Sequence, residues 1–154
     1  MSTLGTGKRT PIHLWVIGIV SLLWNLGGGG SDHIMTVTGN EAYLQAAANT
    51  VGLELSVVQE YFAAFPMWMH IFWAIGVWGA VAGSILLLLR NRFAAHAFIA
   101  SLIGIAASSY YQFSTPFPGQ VDSIIPTIMA VLVPLITLAL IFYARRQTSA
   151  GVLR

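Results

Sequence analysis

Met67-Trp68-Met69-His70-Ile71-Phe72-Trp73-Ala74-Ile75-Gly76-Val77-Trp78-Gly79-Ala80-Val81-Ala82-Gly83-Ser84-Ile85-Leu86-Leu87-Leu88-Leu89 contains no Asp, Glu, Lys or Arg and stops abruptly at Arg90-Asn91-Arg92. About 20 helical residues at 1.5 Å rise cross the roughly 30 Å hydrocarbon layer of a bilayer, and an uncharged run of this length is the signature of a spanning helix. Taken with Phe65 and Pro66, the span is expected over about 65–89. Three further uncharged apolar runs lie on either side, at about 12–30, 93–113 and 124–143. The shortest is the first, because Gly27-Gly28-Gly29-Gly30 follows Leu26 and must either complete the crossing or serve as a flexible end to the helix. Lys8 and Arg9 before it also fit a signal peptide, but no A-x-A-like site follows Leu26, so the run reads as a membrane anchor.

Composition agrees. Of 154 residues 56% are hydrophobic and 8% charged, with a mean hydropathy of +0.76. Soluble domains carry about a quarter charged residues, so a soluble enzyme and a disordered tail are poor readings. The absence of cysteine excludes a disulfide scaffold, a thiol nucleophile and a thiolate metal site. A formal charge of +2 gives no argument for nucleic acid as a partner.

The charges are sorted by loop. Lys8, Arg9, Arg90, Arg92, Arg145, Arg146 and Arg154 flank the spans on one side, while Asp32, Glu41, Glu54, Glu60 and Asp122 fall on the other. Basic residues in short loops are retained in the cytoplasm. The expected architecture is therefore an all-α membrane protein, one domain over 1–154, with four transmembrane helices, both termini cytoplasmic, in a bacterial inner membrane.

The connection between the first two spans, about 38–63, has helix signals of its own. Thr38-Gly39-Asn40-Glu41 and Ser56-Val57-Val58-Gln59 match the S/T-x-x-E/Q capping box, and Gly52 is a natural stop between two short outer helices. Pro66 fits the opening of span two.

Few groups could carry chemistry. His70, about one turn into span two, reads either as a titrating or ligand-binding imidazole or as a neutral one bonded to a neighbouring helix. Asp32, His33, Glu41, Glu60 and His70 are suitable metal ligands by type, but no two share the spacing of a metal-binding helix face, so no metal is expected. The Gly27–Gly30 run lacks the GxxxxGK[ST] pattern of a phosphate loop. Neither an enzyme nor a cofactor is expected.

Small residues form a clearer pattern. Gly76, Gly79 and Gly83 in span two and Gly104 in span three would let two helix backbones approach closely. Trp73 and Trp78 border this stripe, at positions able to face lipid. Pro134 removes a backbone bond within span four and favours a kink. At the acidic ends of spans one and three, Trp24-Asn25 and Tyr110-Tyr111-Gln112 pair aromatic faces with amides, chemistry suited to a neutral polyhydroxylated solute. Equally, aromatic belts with helix-end amides occur where nothing binds.

Several words occur together: Leu22-Leu23-Trp24-Asn25, Asp32, Met35-Thr36-Val37-Thr38, Asn40-Glu41-Ala42-Tyr43-Leu44, Phe65-Pro66-Met67-Trp68 and Tyr143-Ala144-Arg145-Arg146. Over nearly the whole chain they resemble a family of small, chiefly proteobacterial inner-membrane proteins commonly labelled sugar transporters. In that family an aromatic usually precedes the Asp and a Tyr often follows it, whereas this chain has Gly-Gly-Gly-Gly-Ser before Asp32 and His33 after it. The resemblance implies a sugar-transporter-like protein that binds or moves a small neutral solute. Folding the recognised word over the helix ends would make Trp24, Asn25, Asp32, Asn40, Glu41, His70, Tyr111 and Gln112 the candidate solute-binding residues. The alternative is an accessory or assembly subunit packed against a larger membrane complex. Four spans are few for a carrier, so a homo-oligomer is a natural partner arrangement beside the lipid bilayer itself.

Overall fold

The computed structural model describes residues 9–119 and 124–154; Lys8 and Asp122 lie outside the described residues. The helices are α1 (Ile12–Asn25), a π-helical turn (Leu26–Gly30), α2 (Ser31–Val37), α3 (Glu41–Val51), α4 (Leu55–Ala63), α5 (Met67–Leu88), α6 (Ala94–Ser114) and α7 (Ile124–Ser149), with no strand among the described residues. Four stretches are long and apolar enough to cross a membrane: Ile12–Val37, Met67–Leu88, Ala94–Ser114 and Thr127–Ser149. The chain is an all-α, multi-pass membrane protein.

The first span runs past the expected 12–30, to Val37. The glycine run does not end the helix. It widens it into one π turn, after which α2 continues to Val37. Glycines tolerate the wider turn, and the Ser31 hydroxyl donates to the carbonyls of Gly27 at 2.6 Å and Gly28 at 3.1 Å. Backbone groups in lipid need internal partners, so a continuous helix is favoured over a loose end. The 26 residues of Ile12–Val37 reach about 39 Å, well beyond the roughly 30 Å required, and place the last turns near the membrane boundary.

Both anticipated capping boxes are displaced. Gly39, at φ +65°, turns the chain immediately after Thr38, so the Thr38 hydroxyl is used to close α2 by donating to the Ile34 carbonyl at 2.7 Å. Asn40 caps α3 instead, its Oδ1 accepting from the Tyr43 amide at 3.0 Å. Helix α4 begins at Leu55, which puts Ser56 inside the helix and leaves no side-chain cap there. Gly52 does stop α3, at φ +69°, and Pro66 does open α5.

The central pair is α5 with α6; α1 packs on α5 and α7 on α6. The small-residue stripe is the reason. A methyl group added at Gly79 would stand 3.0 Å from the Ser101 amide, and one at Gly76 would stand 3.1 Å from the Ile105 amide. One at Gly104 would overlap the Gly76 backbone, and Gly83 receives the Phe98 ring. Ser101 donates across this crossing to the Gly76 carbonyl at 2.5 Å. On the α1 side, the Asn25 amide donates to the Ser84 hydroxyl at 3.1 Å.

The bundle is fastened at its two ends. At the arginine-rich pole, Leu14, Leu87, Phe98 and Ala144 are fully buried in one cluster, and Val152 and Leu153 fold back onto it. Arg90 and Arg92 pair there with the chain at Arg154: the Arg92 amide donates to the Arg154 carbonyl at 3.0 Å, and the Arg154 amide to the Arg90 carbonyl at 2.8 Å. Near the same pole His13 and Tyr143 share a hydrogen bond. At the opposite, acidic pole, α3 and α4 form a hairpin around buried Leu44, Ala48 and Val58, with Tyr43, Phe62 and Phe117 packed against them. Helix α7 runs on through Pro134; its exposed, apolar half precedes that residue, and the buried positions Thr137, Leu140, Ile141, Ala144 and Gln147 follow it.

Candidate functional site

The α3–α4 hairpin does not sit flat on the helix ends. Phe62 at the end of α4 and Phe65 in the α4–α5 corner both direct rings toward Trp73 on α5, and Phe62 also meets Phe117 beyond α6. Tyr61 completes the group, its centroid 4.9 Å from that of Phe117 and 5.2 Å from that of Phe65. Its hydroxyl donates to the Thr115 carbonyl at 2.9 Å, tying α4 to the end of α6. Trp73 therefore faces the hairpin, in contact with Phe62 and Phe65. Trp78 is 38% exposed and sits on the outside of the bundle.

Beneath the hairpin lies a cavity of about 360 Å³. Its apolar wall consists of Phe62, Phe65, Met69, Trp73 and Phe117, with Gly29 of the π turn contributing bare backbone. Its polar groups are Asp32, Thr36, Tyr43, Tyr61 and Gln112. Asp32 and Gln112 are exposed at the rim, while Thr36, Tyr43 and Tyr61 are half-buried. The Tyr43 phenol lies beside the Asp32 carboxyl group and Thr36. Burial first, and then the neighbouring Asp32 charge, push that phenol above the ordinary tyrosine range. Burial also raises Tyr61, with a smaller contribution from Tyr111. Both phenols thus remain hydrogen-bond donors at neutral pH.

Of the residues anticipated from sequence, Asp32 and Gln112 line the cavity. Tyr111 stands just behind its wall, 5.3 Å from Phe65 and 5.5 Å from Trp68 between ring centroids. The His70 ring is 5.7 Å from Phe65. Four residues are placed elsewhere. Trp24 is 44% exposed on the outer surface of α1, and Asn25 is bonded to Ser84. Asn40 caps α3, and Glu41 is exposed in its first turn. No group of three His, Asp or Glu side chains is arranged to hold a metal among the described residues.

The residues that sequence reasoning missed are Thr36, Tyr43, Tyr61, Phe62, Phe65, Trp73 and Phe117. The density of rings in Tyr61-Phe62 and Phe65 was a visible signal. Its convergence with Trp73 and Phe117 was not, since it depends on how the α4–α5 corner folds back. The chain matches no family model, no curated protein and no solved structure.

Proposed function

We propose that this chain is a multi-pass protein of the bacterial inner membrane that captures a small hydroxylated solute at its acidic, periplasmic pole. The observation that carries the reading is the cavity under the α3–α4 hairpin, where Asp32, Thr36, Tyr43 and Gln112 oppose the rings of Phe65, Trp73 and Phe117. Rings cover the C–H surface of such a solute while phenol, amide and carboxylate groups bond its hydroxyls. The volume is at the lower end of that of small-molecule sites. Orientation follows from the sorting of basic residues to one side, with both termini cytoplasmic.

Capture is favoured over conduction by one chain, because beneath the cavity α5 and α6 meet nearly backbone to backbone at Gly76, Gly79 and Gly104. Sugar-transporter-like movement of the solute would then involve several copies, or a partner that accepts it. The whole protein in lipid nanodiscs, heated with a panel of sugars and polyols, tests the reading. Saturable stabilisation by at least one solute, reduced by Trp73→Leu, is expected. A panel with no saturable response would leave the alternative, an accessory subunit of a larger membrane complex. A stoichiometric partner retained through mild-detergent purification would establish that second reading.

A further inference from the structure

We propose that the solute held in this cavity carries an organic ammonium group, seated among the rings of Tyr61, Phe65, Trp73 and Phe117 and balanced by Asp32. The inference rests on the solute-capture reading and narrows its chemistry from a neutral hydroxylated compound to a hydroxylated amine.

Charge is the first argument. Among the described residues, Asp32 is the one acidic side chain lining the cavity, and no basic side chain lines it. Arg9, Arg90, Arg92, Arg145, Arg146 and Arg154 flank the spans on the opposite side. Tyr43 stands beside Asp32, but a phenol supplies no compensating charge. The carboxylate at the rim therefore attracts a cation and repels an anion.

The rings are the second argument, independent of the first. Tyr61, Phe65, Trp73 and Phe117 all line the cavity, and edge-to-face packing of Tyr61 on Phe65 and Phe117, and of Phe65 on Trp73, fixes them as one wall. An ammonium within about 6 Å of an aromatic centroid is held by the ring quadrupole, and clusters of several rings are the usual means of binding alkylated ammonium groups. This cavity brings a wall of four rings and the Asp32 carboxyl group together. Thr36, Gln112 and the two phenols remain for hydroxyl groups.

Two sources share this chemistry: a soluble amino alcohol or amino sugar, and the headgroup of an amine-bearing lipid at the membrane boundary. The test uses the full-length protein in phosphatidylglycerol nanodiscs at about pH 6, where an amine is protonated. Thermal stabilisation is titrated with glucosamine and glucose, which differ by the amine, and with choline. Glucosamine and choline are expected to stabilise at concentrations about tenfold below glucose. Asp32→Asn is expected to remove that preference while leaving the weak glucose response. Wild-type protein that responds equally to glucose and glucosamine overturns the ammonium assignment, whether or not the variant folds, yet leaves solute capture standing. Silence to all three overturns the assignment and counts against capture as well. In discs containing phosphatidylethanolamine, raised melting temperature together with weakened choline response, both reversed by Asp32→Asn, assigns the site to a lipid headgroup; unchanged behaviour assigns it to a soluble amine.

Discussion

The Asn25 side-chain amide on α1 donates to the Ser84 hydroxyl on α5 at 3.1 Å, and Ser84 in turn donates to the Ala80 carbonyl at 2.9 Å. An amide that reads from sequence as a ligand group is thereby engaged in holding two membrane helices together. Ser84 is fully buried, so removing its partner leaves a polar group facing an apolar gap. Asn25→Leu is expected to lower stability by about 1 kcal/mol in a detergent unfolding titration, with the dose dependence of solute stabilisation unchanged. A shift in solute affinity without loss of stability would return Asn25 to the binding site.

Glycines in this chain divide into two kinds. Gly104→Ala puts a methyl group into the Gly76 backbone and is expected to destabilise the bundle by several kcal/mol, whereas Gly27 has nothing within 4 Å of an added Cβ. Gly27→Ala is expected to be neutral or stabilising by up to about 1 kcal/mol through helix propensity alone. Melting temperatures of the two variants measured side by side check this; equal losses would mean that the α5–α6 crossing is not close.

Orientation is tested by reporter fusions. Fusions after Arg92 and Arg154 should report the cytoplasm and one near Glu54 the periplasm, because basic residues flank the spans on the first side and acidic ones on the second. A cytoplasmic signal at Glu54 inverts the molecule and puts the cavity on the inner face.

Alkaline pH should loosen the hairpin. Burial and the Asp32 charge raise the Tyr43 phenol, so the folded chain holds this proton more tightly than the unfolded one. Its contribution to stability is complete below the ordinary tyrosine value of 10.0 and is lost as pH rises through the higher folded value. Wild-type melting temperature is expected to fall more steeply than that of Tyr43→Phe above pH 10.0. Parallel curves for the two proteins would show that Tyr43 is not held against Asp32.

Much of the fold was legible because lipid imposes a simple code. Uncharged runs announced the spans, and the Gly76, Gly79, Gly83 and Gly104 pattern announced the α5–α6 crossing. Local signals that depend on a single competing turn were less legible: Gly39 diverts Thr38 from α3 to α2, and of the two readings of the Gly27–Gly30 run the structure takes the one that completes the crossing, as a π turn, because a broken helix in hydrocarbon strands its backbone groups. The cavity was legible only in part. Asp32 and Gln112 were readable as polar groups near span ends, whereas Trp73 meets Phe62 and Phe65 only through the α4–α5 corner, a geometry that helical periodicity does not encode.

Whether the cavity holds a solute is read most directly from Trp73 itself. The chain has five Trp, so replacing Trp15, Trp24, Trp68 and Trp78 by Phe leaves a single emitter in the cavity wall. A matching protein retaining only Trp15, near the arginine-rich pole, serves as the control. Titrating glucosamine, choline and glucose into each in nanodiscs should give a saturable shift of Trp73 emission and a flat Trp15 response. Identical responses from the two proteins, or no saturable change at Trp73 with any of the three solutes while the protein stays folded, would contradict solute capture in this cavity.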